Sequence, residues 1–410
     1  MTSPQPHHDD SYPTGDKRNA RTRAAIVYQI LHHFRDPIFS RLISRGTETP
    51  SYHFVASRLN DVDSNRTIDP SRADLPPEEG GLPWTFLRNR RLGGPFLWQS
   101  GVLRTACKRG FDSIIFLGNM YYLSTWIAAI AARLTGKRVL FWGHGYTRRE
   151  ANLKGAIRKL FYQLAHGSLV YGDRAKTFLV DRGFSANDVY VVYNSLDYAR
   201  QRAVRTSTDS ATITSLRSRL FENPDLPTLV CIGRLDPRKH LDQLIELVSK
   251  LESRDLSVNV LIIGDGEDRA HLESLSAAKQ TQSRVCIYGA CYDEEEIGPL
   301  LMSSTLCVCP GHVGLTAIHA MAYGVPVISH GDLDDQAPEV EAILPGKTGD
   351  LFERGSEEDM TDRIESWLRT HPNRDDVAHA CIRMIEDRYN PDSQSIVIDG
   401  AVRGIPADRI

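Results

Sequence analysis

The sequence predicts an α/β protein with two Rossmann-like domains that face each other across a cleft. Short apolar runs alternate with helical stretches, and this rhythm occurs twice along the chain. Most of these runs have apolar residues at consecutive positions rather than at alternate ones, which indicates parallel strands that helices cover on both faces. At 410 residues the chain is also too long for one ordinary core, and two domains of roughly 150–200 residues are expected.

The first domain is predicted to span residues 23–200. A polar tail at 1–22 precedes it, lacks the apolar core of a secretory signal, and is expected to be disordered. The apolar run Tyr121–Leu134 is too short to cross a bilayer, which needs about 20 residues, so we predict a core-facing crossover helix there. The strands predicted for this domain are Ala24–Ile30, Tyr52–Ser57, Ser113–Gly118, Arg138–Gly143, Ser168–Gly172 and Val189–Tyr193.

The second domain is predicted at residues 228–385, after a polar linker at 201–227. A turn at Asn390-Pro391 opens a C-terminal tail, 386–410, that we expect to cross back to the first domain. The strands predicted for the second domain are Thr228–Gly233, Val258–Gly264, Arg284–Gly289, Thr305–Cys309 and Val325–Ser329.

Composition adds expectations about location and partners. The seven cysteines mostly lie in apolar runs without a CxxC pair, which favours buried, reduced thiols in a cytoplasmic protein. Residues 1–200 hold 28 Lys and Arg against 17 Asp and Glu, whereas the remainder holds 21 against 35. A basic first half indicates an anionic partner, such as a membrane surface or a phosphate-linked acceptor. Uneven surface solvation is the alternative reading.

Two segments of the second domain suit a phosphate ligand. In Cys231–Ile245 a strand delivers Gly233 and Arg234, and Lys239 follows at the entry to a helix. An Arg presents a planar fork of donors to phosphate oxygens, and a Lys presents a compact charge. In Val308–Ile328 a glycine turn opens a helix, whose first amides carry unpaired donors. The residues expected to contact phosphate there are Val313, Gly314, Leu315 and Thr316, whose hydroxyl either adds a contact or caps the helix.

These segments resemble the donor site of retaining, two-domain GT-B glycosyltransferases of family 4, and the likeness runs from about residue 110 to 385. The resemblance implies a nucleoside-diphosphate-sugar donor bound by Gly233, Arg234 and Lys239, without a metal or other cofactor. Tyr288 matches the position that packs the nucleobase, and Glu341 matches a glutamate after the sugar site. His144, at the end of a first-domain strand, matches a histidine that contacts the transferred sugar.

The chain departs from the family at two acidic positions. Where the family has a Glu-x7-Glu pair, this sequence has Gly311 and His319. His319 retains a ring nitrogen for a hydroxyl group, and His312 is a candidate to compensate for the first loss. We therefore predict a subgroup with altered donor contacts. The segment His32–Pro37 also stands where many members have a glycine-rich loop.

The acceptor side is less well marked. Arg174 and Asn194 follow first-domain strands and are candidates for the acceptor side of the cleft, Arg174 for an acceptor or a phosphate and Asn194 near the hinge. Residues 147–164 form a basic amphipathic pattern, which suits either packing on the sheet or an anionic membrane surface. The acidic motif Asp332–Asp335 is interpreted as a surface loop rather than a metal site.

The sequence therefore predicts sugar transfer, with retention, to a glycan or lipid-linked acceptor in polysaccharide or glycoconjugate synthesis. The expected location is cytoplasmic, with peripheral attachment to the inner membrane face as one option, and no nucleic-acid partner is expected. The catalytic residues are predicted to be His144, Arg234 and Lys239. One alternative is a non-catalytic protein that binds nucleotide sugars or glycans. Another is a sugar-nucleotide epimerase, for which acid–base carboxylates cannot be placed.

Overall fold

A computed structural model describes residues 21–410, except 47, 59–65, 149, 151, 372, 373 and the side chain of 376. The predicted disordered tail therefore lies almost wholly outside the described residues. The chain forms two sheets, of eight and six strands, and helices flank both. This is the predicted pair of Rossmann-like domains, and every predicted strand overlaps an observed one.

The first sheet has the order β4-β3-β2-β1-β5-β6-β7-β8 and is parallel except for the β3–β4 hairpin. The hairpin was not predicted, because its outer strand face is charged (Arg88, Arg90) and lacks a continuous apolar run. The strands are β1 (Arg23–Ile30), β2 (Ser51–Ser57), β3 (Trp84–Arg91), β4 (Leu97–Ser100), β5 (Ser113–Leu117), β6 (Arg138–Gly143), β7 (Gly167–Val170) and β8 (Val189–Val191). The helices are α1 (Asp36–Ser44), α2 (Val102–Cys107), α3 (Leu123–Leu134), α4 (Leu153–Tyr162) and α5 (Asp173–Val180).

The second sheet is fully parallel, with the order β11-β10-β9-β12-β13-β14. Its strands are β9 (Thr228–Ile232), β10 (Asn259–Ile263), β11 (Val285–Gly289), β12 (Leu306–Cys309), β13 (Val327–His330) and β14 (Gly349–Phe352). The helices from Tyr198 onward are α6 (Tyr198–Ser207), α7 (Ser210–Leu220), α8 (Asp242–Glu252), α9 (Arg269–Ala278), α10 (Glu294–Met302), α11 (Thr316–Ala322), α12 (Glu357–Thr370), α13 (Asp375–Asp387) and α14 (Pro391–Arg403).

The predicted linker and tail are largely helical. Residues 201–227 contain most of α6 and all of α7, and Val204 and Phe221 join the core of the second domain. Within the tail, α14 buries Ile398 and Ala401 in the core of the first domain. Polar composition concealed these helices, because α7 exposes most of its residues and its N-cap, Asp209, is polar. Among the described residues, we find no helix that combines the length and the apolar character needed to cross a bilayer.

Candidate functional site

The centre of the second sheet marks a ligand crevice. The chain runs from β9 through β10 to one edge, then returns to β12 beside β9 and continues to the other edge. Ligands of open parallel sheets bind beyond the carboxyl ends of the strands at such a reversal. Gly233 and Arg234 directly follow β9, and the turn before α11 follows β12. Two predicted phosphate-binding segments thus meet at this crevice.

Lys239 lies within this crevice. It ends a short 3₁₀ helix, Pro237–Lys239, whose N-cap Asp236 accepts the amide of Arg238 at 3.0 Å. A Cβ atom added at Gly233 would lie 2.6 Å from the Lys239 ammonium and 3.6 Å from the Thr316 hydroxyl oxygen. The missing side chain at Gly233 therefore leaves room for the ammonium beside the start of α11.

The Thr316 hydroxyl is already used within the protein. It donates a 2.7 Å hydrogen bond to the carbonyl of Ile232, the last residue of β9. This bond ties the first turn of α11 to the strand that carries Gly233. Thr316 thus neither caps its own helix through its side chain nor offers its proton to a ligand.

Arg234 lines a cavity of about 300 Å³ between the domains. The second domain contributes Gly264 and Asp265 from the turn after β10, and the first domain contributes His33 and Phe34 from the segment after β1. That segment is the one that replaces a glycine-rich loop, and this was the only sequence signal for these first-domain residues. The guanidinium of Arg66 lies 4.1 Å from the ring centre of Tyr292, which links the two sides of the same cavity.

The turn before α11 differs in part from the prediction. Gly314 has a φ of +51°, the left-handed conformation expected of a turn glycine. The amides of Gly314, Leu315 and Thr316 lie at the first turn of α11, where N–H groups lack intrahelical acceptors. The predicted contact from Val313 is wrong, because its amide donates to the side-chain oxygen of Gln336 at 2.9 Å.

Gln336 is a buried residue that sequence reasoning did not identify. Its amide nitrogen donates to the Ser329 hydroxyl at 2.9 Å and to the His330 carbonyl at 3.1 Å. It therefore fixes the turn before α11 against the end of β13. A lone glutamine in a polar loop gives no sequence signal of this role.

Gly311 is a packing residue. Its amide donates to the Lys239 carbonyl at 3.0 Å, and a Cβ atom would lie 2.3 Å from the carbonyl oxygen of Arg238. Real Cβ atoms essentially never come this close to backbone, so no side chain fits without a shift of the loop. The glutamate of the family and the backbone path of this chain are therefore incompatible, and the predicted donor contact at Gly311 has no side chain to make it.

Two histidines, one from each domain, lie close enough across the cleft for one to affect the pKa of the other. His144 follows β6, and its ring packs edge-on against Tyr171 with 4.9 Å between centroids. Its side chain is open to the cleft but crowded by the walls, and desolvation, followed by the nearby Arg35 and His312, lowers the pKa of His144 to about 4. Desolvation, together with Lys239, also lowers the pKa of His312. Both imidazoles are therefore neutral near pH 7 and can donate or accept one hydrogen bond at each nitrogen.

His319 contacts a carboxylate from another helix. Its Nε2 lies 2.9 Å from Glu294 of α10, and the Tyr323 hydroxyl donates to the same oxygen at 2.7 Å. Burial opposes ionisation of Glu294, but the hydrogen bonds from His319 and Tyr323 prevail, and the pKa of Glu294 is lowered. His319 stands at the family's second glutamate position on α11, and its partner Glu294 supplies a carboxylate from the neighbouring helix α10.

The side chain of Tyr288, the predicted nucleobase contact, points away from the cavity at Arg234. Its hydroxyl donates to Glu296, and its ring lines a groove against Thr212 and Leu216 of α7. This groove lies outside the cavity at Arg234. Side chains alternate along β11, and the sequence did not show which set faces the cleft.

Glu341 also serves a different purpose. Its carboxylate accepts the amides of Asp173 at 2.7 Å and Arg174 at 3.0 Å, at the N-terminus of α5 in the first domain. A Cβ atom at Gly172 would lie 2.6 Å from a Glu341 oxygen. Burial raises the pKa of Glu341, and the two amides oppose that shift. The predicted donor contact is therefore a domain–domain contact.

The two predicted acceptor-side residues lie at the same interface. Arg174 donates to the Thr147 carbonyl at 2.7 Å and also reaches Leu333 and Asp334 of the second domain. Asn194 donates to the buried Glu339. Both side chains are therefore engaged in contacts between the domains. This corrects the prediction that Arg174 and Asn194 face an acceptor.

A buried cation continues this interface into the first domain. Arg35 donates to the side-chain oxygen of Asn194 at 3.3 Å and to the Tyr171 hydroxyl at 2.6 Å. Burial raises the pKa of Glu339, and the Asn194 hydrogen bond and Arg35 oppose that shift. Arg35, Asn194 and Glu339 therefore form a continuous polar bridge between the domains.

Residues 212–383 match the sequence model of the family described as "Glycosyl transferases group 1". A sulfoquinovosyl transferase of Arabidopsis thaliana is 26% identical over 162 residues, which cover 38% of this chain and 29% of the relative. An alpha-D-kanosaminyltransferase of Streptomyces kanamyceticus is 25% identical over 184 residues, which cover 44% of this chain and 46% of the relative. The chain thus matches less than half the length of these relatives.

Solved structures match nearly the whole chain. An Anabaena protein in complex with UDP has a TM-score of 0.69 at 15% identity, covering 93% of this chain and 99% of that one. A lipopolysaccharide outer core galactosyltransferase has a TM-score of 0.65 at 17% identity, with coverage of 93% and 99%. At these identities the likeness establishes the fold, which is the GT-B arrangement.

Proposed function

We propose that this chain, which belongs to the glycosyl transferases group 1 family through residues 212–383, is a glycosyltransferase that uses a nucleoside-diphosphate sugar. One observation carries the proposal. The Lys239 ammonium lies over Gly233 and beside the first turn of α11, at the point where the sheet order reverses. Arg234 lies on the same rim, so a diphosphate there would meet two cations and a helix start.

The chemistry follows from this charge. When the bond between the sugar and the diphosphate breaks, its electron pair passes to the leaving phosphate oxygen. Lys239, Arg234 and the amides of Leu315 and Thr316 would stabilise that developing charge without reorganisation. His144, neutral at the opposite wall, would hydrogen-bond the sugar. Transfer with retention, in which the leaving phosphate accepts the acceptor proton, is part of the proposal.

The fixed cations also bear on metal dependence. Because Lys239 and Arg234 supply positive charge, we expect donor binding without a divalent cation. The acidic loop is engaged elsewhere, since Asp332 and Asp335 both pair with Arg354. Addition of a chelator should leave the donor affinity unchanged. A donor affinity that falls on chelation and recovers when magnesium is added would contradict this expectation.

A non-catalytic nucleotide-sugar or glycan-binding protein is the second candidate. It is favoured by Gly311, whose close backbone packing excludes the family's first carboxylate. An assay of transfer or donor hydrolysis over a panel of donors separates the two. Turnover that Arg234→Ala abolishes supports the enzyme, whereas tight nucleotide binding with no turnover for any donor supports the second candidate.

The acceptor is proposed to be a glycan or a lipid-linked saccharide. The resemblance to saccharide-transferring relatives and the basic first half support this class, and the protein would then work at the cytoplasmic membrane face. The basic segment 147–164 would contact anionic lipid.

A thermal-shift screen of nucleoside diphosphates and their sugars tests the proposal first. A ligand that binds only the folded state raises the melting temperature. We expect at least one uridine or guanosine diphosphate to raise it for the wild type. The absence of any shift across the panel would contradict the proposed donor class.

A further inference from the structure

The outer faces of α3 and α4 carry large apolar side chains. On α3 these are spaced by four, three and four residues, and on α4 by four and three, so each set forms one stripe. Leu134 is 83% exposed and Leu153 is 77% exposed. The stripes consist of Leu123, Ile127, Ile130 and Leu134 on α3, and of Leu153, Ile157 and Leu160 on α4.

This exposure reverses the prediction for α3. The helix packs on the sheet through Ala128, Ala129 and Ala132, all of which are fully buried. Small residues bring the helix close to the sheet and leave its large residues outside. The sequence could not show this, because both faces of the helix are apolar.

The two stripes belong to one surface. The rings of Trp126 on α3 and Phe161 on α4 lie 5.0 Å apart, and Arg133 donates to the Leu164 carbonyl at 3.2 Å. Both helices start at the carboxyl edge of the sheet, α3 after β5 and α4 after the loop that carries His144. The surface therefore begins at the rim of the cleft.

Charge identifies the partner. Neither helix contains an acidic residue, and residues 80–172 contain only Asp112 and Glu150 against fourteen Lys and Arg. Exposed cations on or next to the helices are Arg133, Arg148, Lys154 and Lys159. Cations beside exposed apolar side chains suit anionic lipid headgroups above acyl chains. Two copies of this surface would instead bring like charges together.

We propose that the exposed faces of α3 and α4 together dock on an anionic bilayer and set the cleft at the headgroup level. The inference rests on the proposed function, which includes a lipid-linked acceptor. It deepens that function by adding α3 to the proposed membrane contact. Neither helix is long enough to span a bilayer, so both would lie in its interface. An acceptor held in the membrane would then reach His144 without leaving its leaflet.

Co-sedimentation of the full chain with vesicles tests the proposal. Ile127→Gln with Leu134→Gln removes two apolar contacts on α3, and Ile396→Gln on α14 is the matched control, since Ile127 and Ile396 are both 49% exposed. The wild type and the control should bind vesicles of mixed phosphatidylcholine and phosphatidylglycerol but not pure phosphatidylcholine. The α3 variant should bind the mixed vesicles at least roughly tenfold more weakly than the wild type does.

A lysine variant, light scattering and nucleoside-diphosphate binding distinguish the possible explanations of each result. Lys154→Gln with Lys159→Gln should weaken binding roughly tenfold and reduce its salt dependence. Unchanged binding by the α3 variant, or no binding by the wild type, overturns the proposal. A wild-type dimer that the α3 variant abolishes, seen by light scattering, also overturns it and identifies a second copy as the occupant. Nucleoside-diphosphate binding should persist in all variants, so its absence in the wild type would count against the proposed function alone.

Discussion

Individual residues explain how this site differs from the pattern of the family whose model matches residues 212–383. Gly311 stands where the family has a glutamate. The backbone of Arg238 and Lys239 packs against it so closely that a Cβ atom at this position would lie 2.3 Å from the Arg238 carbonyl oxygen. The same packing holds the Lys239 backbone through the Gly311 amide. The glycine at this position thus fixes the backbone of Lys239, the residue proposed to bind phosphate.

Gly311→Ala should therefore destabilise the protein by about 1–3 kcal/mol, because the loop must shift to admit the methyl group. Donor affinity should fall as well, since the shift moves Lys239. Gly331→Ala is the control, because its Cβ atom would meet only ordinary contacts from 3.6 Å outward. Equal melting temperatures for the two variants, measured by calorimetry, would refute the packing role of Gly311.

His144 should make stability depend on acid. Its pKa is about 4 in the folded protein and near 6.5 when unfolded. Between these values the unfolded state binds more protons, so stability falls as the pH drops from 6.5 toward 4. His144→Gln should flatten the decline of melting temperature over this window. His271→Gln, at an exposed position on α9, should leave the slope unchanged, and an equal slope in His144→Gln would contradict the assigned shift.

At the scale of elements, the short helix Pro338–Ala342 joins the domains. Glu339 meets Asn194, and Glu341 accepts two amides at the start of α5. A carboxylate at a helix N-terminus satisfies donors that lack intrahelical partners. The resemblance matched Glu341 to a glutamate that follows the sugar site and implied a donor contact, whereas the carboxylates of this segment bind the first domain.

A double-mutant cycle tests this contact. Gly172→Ala should destabilise the wild type by about 1–3 kcal/mol, since the new Cβ atom would lie 2.6 Å from a Glu341 oxygen and the amides of Asp173 and Arg174 hold that carboxylate in place. In a Glu341→Ala background that carboxylate is gone, so the cost of Gly172→Ala should fall by about 1 kcal/mol or more. Denaturant unfolding of the four proteins gives the coupling. Additive effects would mean that the two residues do not touch.

For the whole molecule, the sequence predicted the architecture well because continuous apolar strands and regular crossovers specify a doubly wound fold. Gly233, Lys239 and Thr316 also come together as expected, since they follow strands that meet at one edge. The failures have physical causes. The outward orientation of Tyr288 depends on which side of β11 faces the cleft, and the engagement of Glu341 depends on how the domains meet. Neither property is local to the sequence.

The central claim is that Lys239 holds the diphosphate of a donor. Titration calorimetry of uridine and guanosine diphosphate with the wild type, Lys239→Gln and Lys279→Gln tests it directly. Lys279 lies at the end of α9, 3.8 Å from Glu246, and serves as the matched control. We predict wild-type affinity for Lys279→Gln and an affinity roughly 10- to 100-fold weaker for Lys239→Gln, the cost of one charged hydrogen bond. Equal affinities for all three proteins, or no binding of either diphosphate by the wild type, would contradict the claim.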